Sequence, residues 1–187
     1  MPDTSTESAF ARTLARHSEE VTSPDGRINA TVQAGLIKGL SFASGTYTQY
    51  TEPELQAQLV QLARLAWVSR ERARQAGLRA ANGDSHEARP RVPVSSAERK
   101  LREERDAAQV SVSSANLTIT IVGGTRWVVK IKPGTIRKLK EEEFLRELAM
   151  LVKRAMGSWR STMSRLRDKS FGPSEILRDL GRSRTTS

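Results

Sequence analysis

The chain has 187 residues, of which 31 are Lys or Arg and 21 are Asp or Glu, so its formal net charge at neutral pH is +10. A hydrophobic content of 37 % is enough to build a buried core, which argues against wholesale disorder. The sequence has no Cys, which excludes disulfides, thiolate nucleophiles and metal sites built on Cys. The sequence has neither a secretory leader pattern nor an apolar run of transmembrane length, so a cytoplasmic protein is expected.

A three-stranded antiparallel sheet is predicted in the first half of the chain. Residues 28–33 alternate between apolar and polar side chains, which is the period-two pattern of a half-buried strand. The Ala34-Gly35 pair suits a tight hairpin turn, after which a second strand returns over 36–42. A shorter strand is expected at 21–23, ahead of this hairpin.

Two helices are predicted to flank the first sheet. One covers residues 5–20, and the other follows the sheet and opens with Glu52 and Glu54. Carboxylates in the first turn interact favourably with the positive end of the helix dipole. The second helix has one apolar stripe at helical spacing, formed by Leu55, Leu59, Leu62 and Ala66.

An internal repeat relates the two halves of the chain. Adding 89 to each position in 28–70 gives, without a gap, a position in 117–159, and ten of these 43 pairs are identical. The matched glycines fall at predicted turns and the matched Leu and Ala fall on one helical face. The second half is therefore predicted to repeat the first, with a helix over 96–109, strands over 110–113, 117–121 and 125–131, and a long helix from Glu141.

These patterns predict an α+β protein made of two tandem units, each a helix, a three-stranded antiparallel sheet and a second helix. The first unit covers residues 1–76 and the second covers 96–171. Residues 77–95 contain Gly, Asn and Pro in a composition typical of a linker. Residues 172–187 are expected to form a short helical turn and a loose tail.

The sequence resembles the YbaB/EbfC family of nucleoid-associated DNA-binding proteins, in particular actinobacterial members. The resemblance lies in the stretch 23–32, the glycine turn and strand that follow, and the helix that begins with Glu54-Leu55. It recurs over 114–131 and 141–155, and is closest in Ile131-Lys132-Pro133-Gly134. Family members are small homodimers whose sheets meet while helices project outward. The resemblance implies either a pseudo-dimer within this one chain or a homodimer of two chains.

The sequence departs from the family pattern in its first helix, which is not rich in Met and Gln in either half. Because that helix is among the suspected DNA contacts of the family, the resemblance does not imply how DNA would be held. Some actinobacterial relatives work beside secretion systems, so a role in binding protein stays open.

No catalytic, metal or cofactor site is predicted. His17 and His86 have no partner at the spacing of a metal site or a catalytic triad. Gly123-Gly124 is not followed by the Lys of a phosphate-binding loop and is better explained as a hairpin turn. The run Glu141-Glu142-Glu143 is better explained as the start of a helix than as an acid–base pair. We therefore expect a protein that is not an enzyme.

The positive charge is concentrated in the second half. Residues 1–90 have ten basic and ten acidic side chains, whereas residues 91–187 have 21 and 11. In the last predicted strand Arg126, Lys130 and Lys132 have the parity opposite to the buried residues, so they are expected on the outward face. The residues predicted to contact nucleic acid are these three together with Arg99, Lys100, Arg102, Arg137, Lys138, Lys140, Lys153, Arg154 and Arg160.

The charge distribution favours a nucleoid protein that binds duplex DNA through its phosphates with little sequence preference. Aromatic residues make up only 5 % of the chain, which argues against base stacking on single strands. The alternative is an adaptor or structural subunit, for example one associated with secretion, whose basic surface binds an acidic protein or RNA. The neutral first half is expected to serve as a structural partner.

Overall fold

The computed structural model describes residue 12 and residues 15–34, 36–82 and 95–171. The protein has the predicted α+β composition. In chain order the elements of these ranges are β1 (Ser18–Thr22), β2 (Ile28–Gln33), β3 (Leu36–Phe42), a 3₁₀ turn (Tyr47–Gln49), α1 (Glu52–Asn82), α2 (Ser96–Ala107), β4 (Gln109–Ser113), β5 (Leu117–Val122), β6 (Arg126–Ile131), α3 (Thr135–Lys138) and α4 (Glu141–Phe171).

The strands form two separate three-stranded antiparallel sheets, in the orders β1-β2-β3 and β4-β5-β6. Gly123 and Gly124 connect β5 to β6 with φ angles of 62° and 78°, the left-handed conformation that a two-residue hairpin turn requires. In the first sheet Ala34 adopts a φ of 51° at the corresponding turn. The predicted hairpins are therefore confirmed, although Gly35 lies outside the described residues.

One irregularity distinguishes the first sheet from the second. Thr31 pairs with Gly39 and Val32 pairs with Ile37, so Lys38 is left without a partner in the β2–β3 register. An extra residue of this kind is a β-bulge, which bends the strand and redirects the side chains around it. The β5–β6 register runs without a shift from Leu117–Ile131 to Val122–Arg126.

The helices begin where the sequence provides capping groups. The Glu54 carboxylate accepts a hydrogen bond from the backbone N–H of Thr51 at 2.9 Å, and Glu143 accepts one from the N–H of Lys140, also at 2.9 Å. Ser95 and Glu98 form a complete capping box at the start of α2. The glutamates near the starts of α1 and α4 thus satisfy backbone donors that the helix itself cannot pair.

The two halves share one hydrophobic core. Phe144 of α4 is completely buried, and its ring centroid lies 5.3 Å from that of Tyr47 and 6.2 Å from that of Phe42. Helix α1 also packs against β6, where the Gln56 side chain accepts a hydrogen bond from the backbone N–H of Ile131 at 2.7 Å. Other members of the core include Ile28, Val32, Leu55, Leu59, Leu62, Leu117, Ile119, Ile121, Leu148 and Leu151.

The structure corrects two predicted boundaries and adds two short elements. Residues 18–20 belong to β1 and not to a helix, because Ser18 pairs with Gln33 and extends the sheet. Helix α1 continues to Asn82, so the linker predicted from residue 77 begins inside a helix. The 3₁₀ turn and α3 lie in the connections between each sheet and its long helix, where no element was predicted. Most of the predicted 5–20 helix, the rest of the linker and the 172–187 tail lie outside the described residues.

Candidate nucleic-acid interface

The side chains of β4, β5 and β6 that point away from the core form a surface that we call the second outer face. Along β6, Val129 and Ile131 are buried whereas Arg126, Val128 and Lys130 are exposed, which confirms the predicted parity. Lys132 is also exposed, but it lies one residue beyond the end of the strand. The second outer face consists of Ser111, Ser113, Thr118, Thr120, Arg126, Val128 and Lys130.

Hydroxyl groups occupy the two strands beside these cations. Ser113 and Thr118 are paired across β4 and β5 with their hydroxyl oxygens 2.9 Å apart, and Thr118 in turn pairs with Lys130 on β6. Ser111 and Thr120 form a second hydroxyl pair, also at 2.9 Å. The second outer face thus combines two cations and four hydroxyls with no carboxylate among its members.

A second group of predicted cations follows β6 and lies close to carboxylates. Arg137 and Lys138 are exposed on α3, and Lys140 is exposed just before α4. Glu52 accepts a hydrogen bond from the backbone N–H of Ile136 at 3.3 Å. The pKa of Glu52 is lowered chiefly by a backbone hydrogen bond at the start of α1, with smaller contributions from Ile136 and the charge of Arg137. These cations therefore face a partly neutralised surface.

The remaining predicted cations lie on two helices. Arg99, Lys100 and Arg102 are exposed on α2, which packs against α4. Lys153, Arg154 and Arg160 are exposed on α4 itself. The twelve predicted residues thus lie on or just beyond β6, on or beside α3, and on the two helices α2 and α4.

None of the twelve predicted residues forms a salt bridge with a carboxylate of the described ranges. The cations that do form ion pairs there are Arg72 with Glu19, Arg74 with Glu71, Arg105 with Asp106, and Lys169 with Glu104, at 3.4, 2.6, 2.8 and 2.9 Å respectively. All four of these cations lie outside the predicted set. The predicted residues keep their hydrogen-bond donors available to a ligand.

The corresponding surface of the first sheet has a different charge. Its outward side chains, the first outer face, are Ser18, Glu20, Thr22, Asn29, Thr31, Gln33 and Ser41, of which Thr31 is half-buried and the others are exposed. This set contains one carboxylate and no cation. Lys38, the one cation of β3, is the bulged residue and lines a groove between the two halves.

That groove is a feature that the sequence did not predict. It has a volume of about 590 Å³ and is lined by apolar residues of both sheets and both long helices, with Lys38, Arg70, Lys153 and Arg160 among them. The guanidinium of Arg70 lies 5.5 Å from the centre of the Trp67 ring. Burial lowers the pKa of Arg70, and the nearby charge of Arg160 lowers it further. The sequence contains one indication of this groove, because the helical spacing of Leu59, Leu62, Ala66 and Arg70 places them on one face of α1.

His17 and the run Glu141-Glu142-Glu143, which were considered for catalysis, are among the described residues. His17 lies 3.6 Å from a carboxylate oxygen of Glu19, and His86 is outside the described residues. Among the described side chains there is no group of three His, Asp or Glu arranged to hold a metal ion. Glu143 caps the start of α4, as described above.

Comparisons with known proteins leave the family undetermined. A scan of protein-family models, a search of curated proteins and a search of solved structures each gave no match to this chain. The similarity to the YbaB/EbfC family thus stays a prediction from the sequence. Within the described ranges, no helix has the length and apolar character needed to cross a membrane.

Proposed function

We propose that the protein is a non-enzymatic, nucleoid-associated protein of the cytoplasm that binds duplex DNA through phosphate contacts with low sequence preference. The observation that carries this proposal is the second outer face, where Arg126 and Lys130 are exposed and unpaired beside a row of hydroxyl groups. Cations supply the attraction to phosphate, and hydroxyls supply additional donors to phosphate oxygens.

The spacing on this face suits a duplex backbone. Arg126 and Lys130 are four residues apart on one strand, which places them about 13 Å apart at roughly 3.3 Å per residue. A distance of about 13 Å corresponds to about four base-pair steps along a duplex, so two separate phosphates are within reach. Trp127 points to the opposite side of β6 and lines the groove. The face therefore has no ring on which a base could stack.

We further propose that the two repeated units act as a pseudo-dimer within one chain, as the YbaB/EbfC resemblance implies. The common order of strands and long helix in the two halves and the core that they share support this proposal. Sedimentation equilibrium tests it, because a single-chain pseudo-dimer has a mass of 20.7 kDa. A stable mass of twice that value would instead indicate pairing between chains.

Fluorescence anisotropy tests the DNA proposal directly. A labelled random duplex of about 30 base pairs is titrated with the protein from low to physiological salt, where each phosphate contact contributes a slope of about −0.9 to log K against log salt. For the double variant Arg126→Gln/Lys130→Gln we expect at least about tenfold weaker binding and a slope reduced by about 2.

A control variant separates a local contact from the effect of total charge. Gln33→Glu/Ser41→Glu lowers the net charge by the same two units, but on the first outer face. Equal weakening by both double variants would contradict the assignment to the second outer face. Displacement of the duplex by an acidic polypeptide or by RNA at comparable concentration would favour the adaptor function and contradict a DNA-specific role.

A further inference from the structure

The groove between the halves has the length and shape of a channel. On α1 its lining extends from Leu59 to Arg70, and on α4 from Leu148 to Arg160. At 1.5 Å per helical residue the groove is about 17 Å long. Its floor includes Val32 on β2 and Ile119 on β5, the central strands of the two sheets.

The groove is narrow at its floor. Ile119, Val32 and Leu62 line it although only 0, 1 and 2 % of their surface is exposed. A groove that receives a helix presents a broad exposed floor, because a helix with its side chains is about 10 Å wide. The surface that a ligand can reach comes instead from half-buried wall residues such as Trp67, Val152 and Met156. A cleft that narrows to an inaccessible floor between such walls is better matched to a slender alkyl chain than to a helix.

The polar part of the groove is entirely cationic. Four lining residues are Lys or Arg, and no lining residue is Asp or Glu. Arg70 and Arg160 lie at the same end of the groove, where burial lowers the pKa of Arg70 and repulsion by the charge of Arg160 lowers it further. A negatively charged group placed between them would relieve this repulsion and pair with both. Apolar walls with a cationic end match a ligand that has an apolar chain and one anionic head.

We propose that this groove binds a long-chain fatty carboxylate, with its head at Arg70 and Arg160 and its chain along α1 and α4. At about 1.3 Å advance per carbon, a length of about 17 Å accommodates roughly thirteen carbons. The volume of about 590 Å³ lies within the usual range for small-molecule sites. The proposed ligand binding does not depend on DNA binding, although Arg160 belongs both to the groove and to the predicted DNA contacts.

Intrinsic fluorescence provides the readout, because Trp67 and Trp127 both line the groove. The purified 187-residue chain is titrated with tetradecanoate below the concentration at which tetradecanoate itself aggregates. We expect saturable binding, with hexanoate more than about 100-fold weaker because eight methylenes are lost. Tetradecylamine has the same chain with the opposite charge and is expected to bind at least about tenfold more weakly.

Two variants test the head and the chain separately. Arg70→Gln is expected to weaken tetradecanoate binding at least about tenfold, whereas Arg72→Gln, an exposed neighbour paired with Glu19, leaves it unchanged. Gly157→Leu introduces a side chain where a Cβ meets no atom within 4 Å, so it should fill the groove without disturbing the fold. It is expected to abolish binding while the unfolding temperature stays the same or rises.

Three results would overturn the proposal. One is no saturable fluorescence change with tetradecanoate in the folded protein. Another is equal binding of tetradecanoate and tetradecylamine, which would indicate simple partitioning into apolar surface. The third is tighter binding of an acidic amphipathic peptide, lost in Gly157→Leu, which would assign the groove to a helical partner.

DNA affinity is measured in parallel, and Arg70→Gln is expected to leave it unchanged because Arg70 is not in the DNA-contacting set.

Discussion

The two halves share an order of three antiparallel strands followed by a long helix, but the outer faces of their sheets differ in charge. Residues that face the core correspond closely, as Leu59 with Leu148 and Leu62 with Leu151, all of them buried. The outward residues do not correspond, since the first outer face has Glu20 and the second has Arg126 and Lys130. Because successive residues of a strand face opposite sides, a sheet can keep its core while its outer face changes completely.

A second difference concerns the carboxylate that fastens each sheet to the helical segment beside it. In the first half Asp25, in the β1–β2 turn, accepts a hydrogen bond from the Tyr50 hydroxyl at 2.5 Å. In the second half the carboxylate is on the helix, where Glu147 accepts hydrogen bonds from the Ser114 hydroxyl and, at 3.0 Å, from the Asn116 side chain. The 89-residue offset places Ser114 at the position of Asp25, so equivalent turn positions are tied by a carboxylate contact in both halves, with the carboxylate in the turn in one half and on the helix in the other.

The largest expected effect is on the shared core. Phe144→Ala removes a ring that contacts both Phe42 and Tyr47, and we expect a loss of about 3–5 kcal/mol in the free energy of unfolding. If the halves form one cooperative unit, far-ultraviolet circular dichroism and tryptophan fluorescence will report the same lowered transition. Met150→Ala, at a residue 51 % exposed on the same helix, is the control and should cost far less. Two separate transitions would show that the halves fold independently.

Equal effects are expected at the turn glycines that the repeat relates. Gly45 and Gly134 have φ angles of +70° and +80°, and a Cβ at either position meets no atom within 4 Å. Alanine at either site should therefore cost the same, between about 1 and 2 kcal/mol, from backbone strain alone. Urea denaturation of the two variants measures this. A difference of more than about 1 kcal/mol would mean that the two turns are not equivalent.

Acid should weaken both carboxylate contacts. Burial raises the pKa of Asp25 and of Glu147, but hydrogen bonds from Ser23 and Tyr50, and from Ser114 and Asn116, outweigh it and leave both pKa values below the ordinary ones. A lowered pKa stabilises the folded state above the ordinary carboxyl pKa, and this contribution is lost as the pH falls through the folded-state value.

Asp25→Asn and Glu147→Gln are therefore each expected to lose about 1 kcal/mol at pH 7, a modest figure because solvent screens both sites. The loss should begin to shrink as the pH falls below about 4, near the ordinary carboxyl pKa, and should approach zero only below the lowered folded-state values. Denaturation at pH 7 and at about pH 3 gives the comparison. Glu103→Gln, at an exposed residue inside α2, is the control, and a loss that persists unchanged in acid would refute the electrostatic explanation.

The smallest expected effect is a gain in folding stability. Gly157 lies in α4 with open space at its Cβ position, so Gly157→Ala should stabilise the protein by about 0.5–1 kcal/mol through helix propensity. Its equivalent on α1 is the exposed Val68, and Val68→Ala should change stability by less than about 0.5 kcal/mol. Thermal unfolding of the two variants ranks them. Destabilisation by Gly157→Ala would indicate that this part of α4 tolerates no added atom.

Sequence patterns predicted the elements whose periodicity is strong and local. The strands at 28–33 and 117–122 and the long helices from Glu52 and Glu141 lie where alternation and apolar stripes placed them. Local patterns could not predict β1 correctly at Ser18–Glu20, because its strand character comes from pairing with β2. The bulge at Lys38 likewise depends on the register between two strands and leaves no periodic signal.

Of the two candidate sites, the sequence predicted the second outer face but not the groove, again because only local patterns can be recognised in a sequence. The parity of Arg126 and Lys130 follows from one strand, so the second outer face was accessible to sequence analysis. The groove is formed by residues such as Arg70 and Arg160 that are 90 positions apart, and no local pattern connects them. The groove exists only because α1 and α4 pack beside each other over the sheets.

The groove has two walls that come from different stretches of one gene. Lys38, Trp67 and Arg70 are encoded separately from Trp127, Lys153 and Arg160, although all six line the same channel. In a symmetric pair of identical chains, every mutation appears on both sides of the interface. Here a single codon change alters one wall and leaves the opposite wall intact, so selection can adapt the groove to an asymmetric ligand one side at a time.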